Sequence, residues 1–178
     1  MNAKTRQRCG MPLVMMSLCL SGLLGCSERL NEYRPSEAAL TNSFPELAVA
    51  QSRFIGYWGD HDRNAIIYEY VSVRDLAVDW QGLLHQLSRT GWQIAGEPGG
   101  VIVWTKQGPA RLGKRVTEVR LTLIGNHIIG ALVDSIVPQH VDSLEKSSQR
   151  RWLNTVLFPR FDVIVDKTRQ EEEERRKR

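Results

Sequence analysis

The residues able to do chemistry are few and scattered. Asp60, His61 and Asp62 form the densest group of metal-ligating types. Carboxylate oxygens and an imidazole would suit zinc, manganese or calcium. Neighbours on an extended chain point to opposite sides, however, so the three do not converge on one ion. A polar turn accounts for them, and no metal site is expected. His85, His127 and His140 stand in no H-E-x-x-H spacing. No serine lies in a G-x-S-x-G turn. Gly96, Gly99 and Gly100 match neither standard phosphate-binding loop. The sequence thus leans away from an enzyme: it names no catalytic residue and no cofactor. Cys9, Cys19 and Cys26 are the only cysteines, all within the first 26 residues. The remainder of the chain therefore has no disulfide, cysteine metal ligand or thiol nucleophile.

Two groups could bind rather than react. Tyr57 and Trp58 sit between glycines in F-I-G-Y-W-G-D, and Trp and Tyr are enriched at binding hot spots. Trp80 and Trp92 lie on or just after a helical apolar stripe and read as core. The second group is Arg111, Lys114 and Arg115, in a loop read over residues 107–115. Such a loop could touch lipid headgroups or an acidic partner.

The amino terminus carries the most specific pattern. Lys4, Arg6 and Arg8 come first, with no acid among them. A charge-free apolar run follows over residues 11–24. At about 14 residues it is short for a spanning helix, which needs about 20, and suits the apolar region of a secretion signal. The run ends Leu23-Leu24-Gly25-Cys26. This resembles the lipobox of bacterial lipoproteins, although Leu24 stands where a small residue is more usual. The resemblance covers residues 1–26 only. It implies a diacylglyceryl group on the Cys26 sulfur, cleavage between Gly25 and Cys26, and acylation of the new amino group, commonly with palmitate-like chains. The mature protein would be held by lipid at a membrane of the bacterial cell envelope, with its domain in the periplasm or outside the cell. Ser27, rather than Asp, follows the cysteine, which in Gram-negative lipoproteins implies an outer-membrane address.

Composition agrees with an ordinary folded body behind that anchor. The chain has 24 Lys and Arg against 20 Asp and Glu. Lys4, Arg6 and Arg8 would leave with the signal, so 21 basic residues remain. A near-neutral balance gives no case for nucleic acid. The partners expected are the membrane, through its lipid, and an envelope protein. Roughly 150 mature residues suit one domain, and an apolar content of 42% suits a packed core.

The elements that must position these residues follow from periodicity. Residues 27–45 are polar, contain Pro35 and Pro45, and read as a linker; Tyr33, Leu40 and Phe44 leave an ordered arm open. Residues 64–74 alternate as a strand, with Tyr68 and Tyr70 on one face. Asp75 can cap a helix from about residue 76, where Trp80, Leu83, Leu84 and Leu87 share a stripe. Gly91 suits the helix end, and Gly82 would mark a close approach to the sheet. Residues 92–97 and 101–106 read as a hairpin around Pro98-Gly99-Gly100. Residues 116–124 and 127–137 read as a second hairpin around Gly125-Asn126. Val119, Leu121 and Leu123 alternate with Arg120 and Thr122, the pattern of a half-buried strand. Residues 141–167 read as helix, kinked at Pro159. In the tail each of Glu171 to Glu174 has a basic residue four places on, which supports a helical extension against disorder. The expectation is an α+β fold of order β-α-β-β-β-β-α. Two layers are expected: an antiparallel sheet of about five strands with helices on one face, and an open face near Tyr68 and Tyr70 where a small enzyme or ligand-binding protein would place its site. Along the chain, residues 1–25 would be signal, 26–45 linker, 46–167 domain and 168–178 charged tail.

Overall fold

The structure is a computed structural model and describes residues 31–72 and 76–178. Gly25, Cys26 and the Asp75 cap lie outside the described residues. The fold is α+β, built on one antiparallel sheet. Strands β1 (Glu32–Tyr33), β2 (Ser52–Asp60), β3 (Ala65–Ser72), β4 (Gln93–Gly96), β5 (Ile102–Pro109), β6 (Lys114–Ile124) and β7 (His127–Val137) run in the order β1-β2-β3-β7-β6-β5-β4. Helix α1 (Glu37–Thr41) precedes β2, and α2 (Leu76–Arg89) links β3 to β4. The chain ends in α3 (Arg150–Trp152), a π-turn over Leu153–Leu157, and α4 (Phe158–Lys177).

The sheet has seven strands, not five, and its helices cover both faces rather than one. On one face Ile66, Tyr68, Tyr70, Trp104, Val119 and Leu121 pack with Leu40 of α1 and Leu83 and Leu87 of α2. On the other, Ala65, Ile67, Val116, Ile129 and Ala131 pack with Leu153, Leu157, Phe161 and Val165. The extra layer escapes the alternation rule because the polar stripe of β6 is itself covered. Glu118 and Thr122 are buried. The Arg120 guanidinium lies 3.1 Å from the Glu118 carboxylate and 3.2 Å over the Phe158 ring. Burial raises the Glu118 carboxyl, and Arg120 offsets this only in part. A stripe read as facing water instead satisfies its charges beneath α4.

The two additional strands come from segments with weak patterns. β2 carries two glycines and a bulge between Gly56 and Trp58, which breaks its period of two. Those glycines seat the residues before it. A Cβ at Gly56 would stand 1.9 Å from the Pro35 carbonyl oxygen, and one at Gly59 would stand 2.5 Å from the Tyr33 ring. So the stretch read as a linker is, from Asn31 on, an ordered arm. β1 pairs with Gly59 and Asp60, the Ser36 side chain caps α1, and Leu40 and Leu47 are wholly buried.

Other elements differ in detail. Gly82 has nothing within 4 Å of a Cβ position, so it marks no close approach to the sheet. Gly91 adopts φ 88° after α2, the conformation a helix end requires. The expected 141–167 helix begins only at Arg150, after a 3₁₀ turn at Leu144–Lys146. Pro159 falls in the first turn of α4. The preceding π-turn supplies the register change that a missing N–H demands. α4 then runs through the charged tail to Lys177. There the ion pairs are Lys167–Glu171 at 3.8 Å and Glu172–Arg175 at 2.8 Å, not the four Glu-first i,i+4 pairs. Among the described residues, no helix is long and apolar enough to cross a membrane.

Candidate binding surfaces

The β2 bulge decides what Tyr57 and Trp58 do. By doubling a position it turns both side chains toward the α4 face. Trp58 is half-buried beside Trp152, their ring centroids 6.2 Å apart, and the Arg160 guanidinium lies 5.0 Å over it. Tyr57 stays 40% exposed. Together with Val156, Pro159, Val163 and Ile164 they line an open groove of ≈ 420 Å³. Val163 is 68% exposed. The wall is mainly apolar, with Thr155, the Tyr57 hydroxyl and Arg160, which also pairs with Glu32 at 2.8 Å, as its polar members.

The Tyr57 hydroxyl opens a buried polar chain that sequence reading missed. It donates to the Glu69 carboxylate on β3, whose other oxygen meets His127 Nδ1 on β7. His127 Nε2 faces Glu172 of α4 at 3.2 Å, and Glu172 accepts from Arg175 at 2.8 Å. Glu69 and His127 are both buried. Burial, then the hydrogen bond and charge of Glu69, push the Tyr57 phenol well above the usual tyrosine range, so it remains a donor. Both imidazole nitrogens face carboxylates. The chain clasps β2, β3, β7 and α4 together. The available signal was Glu69 itself, an acid between two tyrosines in an otherwise apolar strand. Buried carboxylates need partners.

The basic group lies elsewhere. β5 extends to Pro109 and β6 begins at Lys114, so the long loop contracts to a turn over residues 110–113. Arg111 is in that turn, while Lys114 and Arg115 belong to β6. β6 is three places from β2 in the sheet, so these cations do not join Tyr57 and Trp58 in one site. Arg115 lies 3.5 Å from Asp134, which also accepts from Thr117 at 2.8 Å. Arg115 and Asp134 help line a second cavity of ≈ 340 Å³ with Tyr33, Phe44, Asn64 and Ile66.

Several other titratable groups have structural partners. Buried Asp60 accepts the Asp62 N–H at 2.9 Å. His61 stacks on Tyr33 with centroids 3.8 Å apart. Asp60 thus closes β2, His61 and Asp62 open the β2–β3 turn, and the Asp60 and His61 side chains are engaged separately. His85 and His140 are exposed. Glu46 accepts from Trp92 Nε1 at 2.8 Å and Lys106 Nζ at 2.7 Å. Burial raises the Glu46 carboxyl, but these two donors outweigh it and hold it below the usual range. Trp92 is accordingly a core residue. Tyr68 and Tyr70 are buried beneath α1 and α2, so the open face expected there is covered.

Compared with protein families, curated proteins and solved structures, the chain matches none.

Proposed function

We propose that this chain is a lipid-anchored protein of the bacterial cell envelope whose α+β domain is a non-enzymatic binding or scaffolding module. The observation that carries the reading is Leu23-Leu24-Gly25-Cys26 at the end of an apolar run that follows three basic residues. The body behind it would sit in the periplasm or outside the cell, most simply at the outer membrane given Ser27. Lipid supplies the hold: buried acyl CH₂ groups contribute about 0.8 kcal/mol each, and two or more chains anchor stably.

The binding role is supported by the groove between the β2 bulge and α4. Its exposed aromatic and aliphatic wall, with Arg160 at one point, has the make-up of a protein contact rather than of a closed ligand site. A photo-crosslinking amino acid at position 163, in the lipidated protein within native envelopes, tests this. One envelope protein joined to it in stoichiometric yield is the expected result. Recovery of an uncrosslinked monomer carrying a bound small molecule would overturn it.

A further inference from the structure

The β5–β6 turn and the entry of the chain lie at the same end of the sheet. Asn31, the first described residue, accepts the His61 N–H at 3.2 Å, which places it at the β2–β3 turn. Asn64 in that turn accepts the Asp134 N–H of β7 at 3.1 Å. Beyond Asp134, β7 runs to Val137, which pairs with Lys114 at the start of β6. Lys114 in turn pairs with Pro109 at the end of β5. The opposite end holds His127 and the Glu172 region of α4. Along β7 the two ends are about 34 Å apart at roughly 3.4 Å per residue.

The turn at the entry end is shaped as an apolar point among cations. Leu112 is 83% exposed and Ile136 57% exposed. Ile136 is the register partner of Arg115. Gly113 adopts φ 106°, and a Cβ there would stand 2.2 Å from the Val137 carbonyl oxygen. The Gly113 carbonyl accepts from Gln139 at 2.7 Å. A tight, pinned turn thus holds Leu112 outward. Arg111 flanks it, with Lys114 and Arg115, whose side chain is 57% exposed. The carboxylates beside the tip are Asp134, near Arg115, and Asp142, 3.0 Å from Lys146; Lys114 also acts on Asp142. Glu32, Asp60 and Asp62 share this sheet end but lie at β1 and at the β2 side of the β2–β3 turn, three or more strands away from β6. At the tip itself, Arg111, Lys114, Arg115 and Lys146 against Asp134 and Asp142 leave a positive patch.

We infer that this sheet end, with Leu112 at its tip and Arg111, Lys114 and Arg115 around it, is a contact surface for an anionic lipid headgroup layer. An exposed aliphatic side chain ringed by basic residues is the pattern of interfacial insertion. The orientation rests on the anchored reading above. Cys26 precedes Asn31 by five residues, which span at most about 17 Å, so a lipid on Cys26 would hold this end of the sheet, and not the end with His127 and Glu172, against the bilayer.

The test replaces Leu112, and in a second protein the exposed Gln170 at the far end, by an environment-sensitive fluorescent amino acid. The full chain, purified from native envelopes, is mixed with vesicles of phosphatidylcholine, with or without phosphatidylglycerol, that contain nitroxide-labelled lipid. The expected result is strong quenching at position 112 in the anionic vesicles, several-fold above position 170, and its loss in Arg111→Glu/Lys114→Glu. Quenching at 112 no greater than at 170, or equal with and without phosphatidylglycerol, would overturn the headgroup contact. The mass of the amino-terminal peptide from the same preparation judges the anchor separately. A bare Cys26 would remove the anchored reading, while the quenching would still decide whether the tip meets anionic lipid.

Discussion

Changing Cys26 to serine is expected to abolish incorporation of a fatty-acid analogue and to leave residues 1–25 attached to the protein. The reason is chemical. Formation of a thioether needs a sulfur nucleophile, and a thiol reaches the reactive thiolate far more easily than a serine hydroxyl ionises. The resemblance to bacterial lipoproteins further implies that the peptidase cuts only after the lipid is in place. Loss of one atom type should therefore remove two events together. Among the described residues, no helix is long and apolar enough to cross a membrane. Metabolic labelling followed by gel electrophoresis reads both effects. Unchanged labelling in the variant, or cleavage without labelling, would contradict the assignment of Cys26.

The second large effect lies in the sheet. Gly130→Ala is expected to destabilise the domain by about 3 kcal/mol, the upper range for overpacking a core. Gly130 pairs with Tyr68 across β3 and β7, and the Tyr68 ring lies over it. An added Cβ would stand 2.4 Å from Tyr68 Cζ and 2.6 Å from its oxygen. The ring has little freedom to retreat. It is 1% exposed and lies against Phe54 and Tyr70, at centroid distances of 5.9 Å to each. For a domain of this size the midpoint of thermal unfolding should fall by roughly 10 °C. Tyr68→Leu clears the space, so Gly130→Ala should cost much less in that background. A double-mutant cycle measures the coupling. Equal costs of Gly130→Ala in both backgrounds would show that Tyr68 is not the obstacle.

What the sequence reveals about this fold depends on whether pattern and burial agree. β3 and β6 show alternation, β7 follows from the Gly125-Asn126 turn that joins it to β6, and α2 carries Leu83 and Leu87 at helical spacing; all were legible. β2 was not, because the bulge at Gly56 shifts its period midway and its glycines serve the arm beside it. β1 is two residues long and lies in a polar segment. The second helical layer was hidden for a different reason. Arg120 and Glu118 look like a wet strand face until Phe158 and the rest of α4 close over them. Periodicity reports which residues are apolar, not which polar residues are paired and buried.

The candidate sites follow the same division. Tyr57 and Trp58 were found from residue type and flanking glycines, and the groove they line needs only their neighbours on α4. Arg111, Lys114 and Arg115 were found as a charge cluster, although two of them belong to a strand. The Glu69–His127–Glu172 chain was missed because its members are distant in sequence and meet only through the β3–β7 register and the dock of α4. The turn that exposes Leu112 was read as a loop. Its significance appears only when the register places it at the same end of the sheet as the entry of the chain.

The most direct measurement is mass spectrometry of the amino-terminal peptide of protein taken from its native membrane. The account predicts a peptide that begins at Cys26 and carries the added mass of a diacylglyceryl group and an amide-linked acyl chain. A free Cys26 thiol, or residues 1–25 still attached in protein recovered from the cytosol, would contradict it.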